Sequence, residues 1–200
     1  MADIDYFFAT VSPWTYLAGT RLEQIAARHG ATVAYKPMDL IAVFGRTGGV
    51  LPKDRHPSRM EYRAQELLRQ AAKLKMPFNL KPRHWPTNMA PSSYAILAAA
   101  QAGGEVGPLA HAFTRACWTE ERDIADPEVI ADVMTACGFD PALADKGMLA
   151  AAEAYAANTE EAVTRGVFGA PFYIVNADDA RFWGQDRLDD LDAHLGAKPR

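Results

Sequence analysis

The chain has 200 residues, 49% of them hydrophobic and 23% charged, and a formal net charge of −4 at pH 7. That composition can bury one sizeable core, and the charge gives no reason to expect nucleic acid as a partner. No apolar segment reaches the roughly 18 residues that a membrane span needs. Since Asp3 and Asp5 precede the first apolar run and no basic segment opens the chain, we expect no signal peptide and a cytoplasmic location.

The first elements are predicted to form a β-α-β unit. Residues 3–9 are apolar and aromatic, which is typical of a central strand. A helix is predicted from Tyr16 to His29, with Gly30 as its stop, and residues 31–38 predict a second strand. A parallel pair with a right-handed crossover is therefore expected.

The middle of the chain, from residue 40 to about 160, carries little strand signal. A glycine- and proline-rich loop at 45–57 leads into an amphipathic helix from Ser58 to about Leu74. Further helices are predicted from about Pro91 and over 106–119, 127–137 and 147–165. Cys117 and Cys137 fall in this alanine-rich helical sequence and match no metal spacing, so we expect two buried thiols, no disulfide and no metal site.

The end of the chain returns to strands. Residues 171–175 and 180–184 predict two strands joined by a turn, and residues 185–195 predict a closing helix. The whole pattern is β-α-β, a long helical block, then β-β-α. It predicts an α/β protein whose sheet is split by a helical insertion.

The turn Ser12-Pro13-Trp14-Thr15 lies between the first strand and the first helix. Unpaired backbone N–H groups at a helix start favour negative charge, and the same features would lower the pKa of a thiol held there. A serine hydroxyl would donate one hydrogen bond to such a thiolate. The alternative is that Ser12 only caps the helix.

Two further segments can contact a ligand through backbone or polar groups. Pro171 precedes a strand, and a cis peptide bond before it would turn the N–H and C=O of Ala170 outward. The alternative is an ordinary proline at the entry of a strand. Gln185 and Asp186 follow Gly184 at the start of the last helix, where they can cap that helix or contact the charged ends of a ligand.

In their order and spacing, the S-P-W-T turn, the G-A-P segment and the G-Q-D-R-L segment resemble one family over essentially the whole chain. The chain resembles the 2-hydroxychromene-2-carboxylate isomerases, relatives of the kappa-class glutathione transferases. The resemblance implies a thioredoxin-like domain formed by residues 1–40 and 166–200, with an all-helical insertion domain at 41–165. It also implies a homodimer.

The resemblance implies glutathione as the cofactor. Ser12 matches the serine that hydrogen-bonds the glutathione sulfur, with Thr15 where thioredoxin-like oxidoreductases keep their second cysteine. Ala170, before Pro171, matches the residue whose backbone pairs with the glutathione cysteine. Gln185 and Asp186 match the pair that holds the γ-glutamyl end. Thiol–disulfide exchange is not expected, because neither cysteine of the chain lies in the Ser12 turn.

The implied reaction interconverts 2-hydroxychromene-2-carboxylate and trans-o-hydroxybenzylidenepyruvate through reversible addition of the glutathione thiolate. For this aromatic substrate we expect Arg83 to bind a carboxylate, Asn88 to bind an oxygen and Trp85 to stack on the ring. Lys53 is a weaker candidate. Each has a plainer interpretation, as a surface charge or a core tryptophan.

One departure concerns an asparagine that kappa-class relatives use to contact glutathione. The matching loop here reads Gly45-Arg46-Thr47-Gly48-Gly49, so either Arg46 or Thr47 substitutes for it or the contact is missing. Two rival functions also stay open: a kappa-like transferase or peroxidase with another electrophile, and a non-catalytic binding protein of thioredoxin fold.

Overall fold

In the computed structural model, which describes residues 2–197, four strands form one mixed sheet in the order β2-β1-β3-β4. The strands span Ile4–Phe8 (β1), Val33–Pro37 (β2), Phe172–Val175 (β3) and Ala180–Trp183 (β4). β1 is parallel to β2 and antiparallel to β3, which is antiparallel to β4. The predicted β-α-β unit and terminal hairpin are confirmed.

Helices cover the sheet and fill the chain between its two halves. They span Pro13–Ala18 (α1), Arg21–His29 (α2), Leu40–Thr47 (α3), Pro57–Leu74 (α4), Ala90–Gln101 (α5), Gly107–Trp118 (α6), Pro127–Ala136 (α7), Ala142–Lys146 (α8), Met148–Thr164 (α9) and Leu188–Gly196 (α10). Short 3-10 turns lie at Pro52–Asp54 and Gln185–Arg187. Within the described residues, none of the helices has the length and apolar content needed to cross a bilayer.

Two predicted boundaries in the first 60 residues are wrong. The single helix predicted from Tyr16 to His29 is two helices, because Gly19 has a φ of +59° and its N–H bonds back to Tyr16. The predicted loop at 45–57 begins inside α3. The Asp39 side chain caps the start of α3, and the helix ends at Gly48, whose φ is +80°.

The apolar core is continuous between the sheet and the helical insertion. Ile4 and Tyr6 of β1 belong to the same buried cluster as Leu67 of α4 and Phe113 and Trp118 of α6. Because the two parts share this core, neither buries its apolar surface alone. The division into a thioredoxin-like domain and an insertion domain stays a prediction about chain organisation.

A buried carboxylate joins the sheet to α9. Asp5, on the central strand, is 5% exposed. It forms ion pairs with Lys36 Nζ at 3.3 Å and with Arg165 at the end of α9. Glu161 accepts from the same two cations, at 2.6 Å from Lys36 and 3.1 Å from Arg165. The four charges form one network between the sheet and the insertion.

The two cysteines are free, and they differ in burial. The expectation of a buried thiol is correct for Cys117 and wrong for Cys137, which is only half-buried because α7 ends there near the surface. Burial, with a smaller effect of Asp123, raises the pKa of Cys117 to about 12. Since the thiolate is the reactive species, we expect the buried Cys117 to react slowly.

We therefore expect a disulfide reagent such as DTNB to label the native protein at Cys137 alone, with the second thiol reacting at least about 100-fold more slowly. The absorbance of the released thiolate measures both phases. A Cys137→Ser variant should lose the fast phase. Two thiols that react at equal rates in the folded protein would contradict the burial of Cys117.

Candidate functional site

Ser12 caps α1, as predicted. Its hydroxyl oxygen accepts a hydrogen bond from the Thr15 N–H at 3.2 Å, and its carbonyl accepts from the Tyr16 N–H at 3.1 Å. Pro13 has no N–H to satisfy. Within residues 2–197, the Trp14 N–H is therefore the first-turn donor of α1 without a partner.

The Ser12 side chain also contacts the residue before Pro171. The Ser12 hydroxyl donates to the Ala170 carbonyl at 3.3 Å, across 158 positions of sequence. The Ala170–Pro171 peptide bond is cis, as the sequence allowed, and Pro171 lies in the turn that leads into β3. Ala170 is 7% exposed, and its N–H donates to no group among the described residues. Two of the predicted segments thus meet in one place.

This arrangement suits a negatively charged ligand atom. The bond from Ser12 to Ala170 is long, so the hydroxyl proton can turn toward an anion at little cost. The N–H groups of Trp14 and Ala170 are further donors. Because α1 has only six residues, its summed dipole is small. The hydroxyl and the two N–H groups, rather than the helix dipole, provide the polarity that the sequence led us to expect.

Thr15, at the second cysteine position of the thioredoxin-like motif, turns away from Ser12. Its hydroxyl is buried without a hydrogen-bond partner and lines a small internal cavity together with Glu23 and His111. Only its backbone N–H takes part in the Ser12 turn.

The predicted capping of the last helix by Gln185 and Asp186 is wrong. A 3-10 turn at Gln185–Arg187 precedes α10, which begins at Leu188 without a side-chain cap. The Gln185 side chain is 2% exposed. It accepts from Arg21 and donates to Gln70 Oε1 at 3.2 Å. Its amide is therefore engaged at both ends within the protein, whereas Asp186 is exposed.

Trp85 is the predicted substrate residue that the structure places beside the Ser12 turn. Its indole Nε1–H donates to the carbonyl of Val11, the residue before Ser12, at 3.2 Å. Its ring lies 5.7 Å from that of Trp118 in the core, and the carbon of the Arg63 guanidinium lies 5.8 Å from its centroid. Trp85 thus has one edge in the core and is only half-buried.

The other predicted substrate residues, Arg83, Asn88 and Lys53, are exposed, and the structure shows no contact between them and the Ser12 turn. The backbone N–H of Arg83 donates to the Glu121 carboxylate at 2.7 Å. Asn88 Oδ1 accepts from the Ala90 N–H at 3.0 Å, which shapes the start of α5. Their role in binding stays a prediction.

Both candidates for the missing asparagine contact have hydrogen-bond partners within the protein. Arg46 forms a double hydrogen bond with Glu160 of α9. The Thr47 hydroxyl donates to the Val43 carbonyl at 2.7 Å. Substitution of the asparagine by either residue stays a prediction.

The sequence pattern did not single out two residues of α4, because only long-range contacts reveal them. Gln70 bonds to Gln185, and Arg63 lies over Trp85. Two helical turns, about 10 Å, separate these two residues on one face of α4. The i, i+7 spacing of Arg63 and Gln70 on a charged helix was the only available signal. Among the described residues, no group of three His, Cys, Asp or Glu side chains is placed to hold a metal ion.

Comparison with known proteins gives consistent results. The family model described as DSBA-like thioredoxin domain matches residues 3–196. A 2-hydroxychromene-2-carboxylate isomerase of Sphingobium xenophagum is 31% identical over 206 residues, covering 96% of this chain and 97% of the relative. A solved 2-hydroxychromene-2-carboxylate isomerase is 29% identical with a TM-score of 0.75, over 96% of this chain and 94% of that one. A probable DsbA oxidoreductase from Streptomyces coelicolor, 18% identical over 100% of this chain and 92% of its own, shares the fold with a TM-score of 0.76.

Proposed function

We propose that this chain, which belongs to the 2-hydroxychromene-2-carboxylate isomerase family of DSBA-like thioredoxin domains, is a glutathione-dependent isomerase. The reaction would interconvert 2-hydroxychromene-2-carboxylate and trans-o-hydroxybenzylidenepyruvate. One observation supports this above all: the Ser12 hydroxyl lies 3.3 Å from the carbonyl of Ala170, and the Ala170 N–H has no partner among residues 2–197.

The residues present fit glutathione. The unpartnered Ala170 N–H suits the backbone carbonyl of a peptide ligand, as an added strand segment would. The exposed Asp186 carboxylate suits the ammonium group of the γ-glutamyl end. Gln185 would act differently from the sequence expectation. Since Arg21 and Gln70 already bond its amide, it would fix the wall of the pocket rather than bind the tripeptide through its side chain.

Glutathione, when bound, supplies a thiolate that adds reversibly to a conjugated double bond and so permits rotation about it. The protein's part is electrostatic and steric. The Ser12 hydroxyl and the Trp14 N–H would stabilise the negative sulfur and keep the pKa of the thiol low. The half-buried indole of Trp85, beside the same turn, would support the aromatic ring of the substrate.

An ultraviolet assay of chromene isomerisation tests the proposal. We expect the rate to fall at least about 100-fold when glutathione is omitted, because the nucleophile is then absent. S-methylglutathione, which binds without a free thiol, should not restore activity. Glutathione should also raise the melting temperature, since a ligand of the folded state stabilises it. Full turnover without any thiol would contradict the proposal.

The same site would serve a kappa-like transferase, so the assay includes a chloroaromatic electrophile. Conjugation without isomerisation would favour that rival. The cytoplasmic location expected from the sequence and the homodimer implied by the resemblance are also proposals. Light scattering of the purified protein measures its mass in solution and so tests for the homodimer.

A further inference from the structure

The guanidinium of Arg63 is a half-buried positive charge without an anionic partner. Within residues 2–197, no carboxylate lies within 4.0 Å of it, whereas Arg115, Arg122 and Arg165 each pair with a carboxylate. Burial, and secondly the charge of Arg55, lowers the pKa of Arg63 from its ordinary value. Arginine nevertheless stays charged at neutral pH.

The positive charge of Arg55 makes it less favourable to keep the Arg63 guanidinium half-buried and charged. Its guanidinium lies 5.7 Å from the centroid of the Phe44 ring, and its Nε–H donates to the Val50 carbonyl at 2.8 Å. Arg59 lies one turn before Arg63 on α4, and it too has no ion pair among the described residues. Like charges held together and partly withdrawn from water destabilise a fold. An anion bound between them would remove that cost.

Aromatic surface lies directly beside this charge. The Arg63 guanidinium is within cation–π distance of Trp85, and Trp85 is bonded to the residue before Ser12. The planar guanidinium fork matches a carboxylate. A flat aromatic ring that bears a carboxylate can therefore place its ring against Trp85, beside the Ser12 turn, and its carboxylate against Arg63.

We propose that Arg63 binds the carboxylate of an aromatic substrate and, with Trp85, makes the site selective for flat aromatic carboxylates. This inference rests on the proposed function and adds its specificity-determining residue. It assigns to Arg63 of α4 the role that the sequence suggested for Arg83, whose side chain is exposed.

The test measures binding of an unreactive probe, coumarin-3-carboxylate, by calorimetry, with uncharged coumarin as its counterpart. We expect the dissociation constant of the acid to rise at least about 10-fold in Arg63→Gln, and Arg63→Lys to recover part of the loss. Coumarin should bind equally to the wild type and to Arg63→Gln. Arg28→Gln removes the same charge from an exposed site on α2 and should bind both probes as the wild type does.

Several outcomes would overturn the inference: equal affinity of Arg63→Gln and wild type for the acid, no measurable binding by the wild type, or equal loss in Arg28→Gln. A second source of carboxylate is glutathione itself. If Arg63→Gln weakened glutathione binding and left the acid unaffected, the charge would serve the tripeptide and the inference would be wrong. Melting temperatures identify any variant that fails to fold.

The probe needs no turnover. If the wild type shows no glutathione-dependent isomerisation but binds the acid through Arg63, the proposed reaction fails and the aromatic carboxylate site stands.

Discussion

Replacing Ser12 by alanine is expected to lower kcat/KM for the isomerisation at least about 100-fold, because one donor aimed at a developing or bound anion is commonly worth that much. The hydroxyl is held at the site by its bonds to the Thr15 N–H and the Ala170 carbonyl. Its loss should also raise the pKa of bound glutathione, since a hydrogen bond to the thiolate favours the charged form. The acid limb of the pH–rate profile should therefore move to higher pH.

The same substitution also removes a helix cap, which costs about 1 kcal/mol of stability. Asp126→Ala is the matched control, because Asp126 caps α7 through the Glu128 N–H at 2.8 Å and belongs to no part of the candidate site. It should lower the melting temperature by a similar amount and leave turnover unchanged. Wild-type activity in Ser12→Ala would mean that the hydroxyl serves as a cap and nothing more.

Replacing Asp5 by asparagine is expected to destabilise the fold by about 3 kcal/mol, the order found when one partner of a buried ion pair is removed. Asp5 is 5% exposed and pairs with both Lys36 and Arg165. Its loss leaves the two half-buried cations sharing Glu161, with the Asp179 carboxylate 3.8 Å from Arg165. Urea unfolding followed by far-ultraviolet circular dichroism measures the change.

Asp132→Asn provides the comparison, because it breaks an exposed pair with Arg122, outside this network, and should hardly move the unfolding midpoint. If Asp5→Asn were equally mild, the network between the sheet and α9 would contribute nothing to stability.

Much of the fold could be predicted because its signals are local. The buried strand at Ile4–Phe8 is apolar or aromatic at every position but Asp5, and the terminal hairpin follows turn residues. The prediction of a loop at 45–57 was wrong at its start, because the glycine-rich sequence there suggested a loop and the capping role of Asp39 at the start of α3 was not recognised. The prediction of a single helix from Tyr16 to His29 failed because one residue, Gly19, ends the first helix.

The residues of the candidate site could be predicted where they belong to a short sequence motif, and not where only contacts between distant segments identify them. Ser12 and Ala170 stand in short patterns, and the structure brings them together. The amide of Gln185 could be read as free for a ligand only until its contacts with Arg21 and Gln70 were known. Arg63 is one of several charges on an amphipathic helix, and only the approach of Trp85 from a distant loop distinguishes it.

The continuous core has a consequence for how such proteins can diverge. Leu67 and Phe113 of the insertion pack in the same cluster as Ile4 and Tyr6 of the central strand. Recombination between relatives at the junctions near residues 40 and 166 would join side-chain volumes selected in different ancestors. Chimeras built at those points would combine mismatched core side chains, so they should be less stable than either parent.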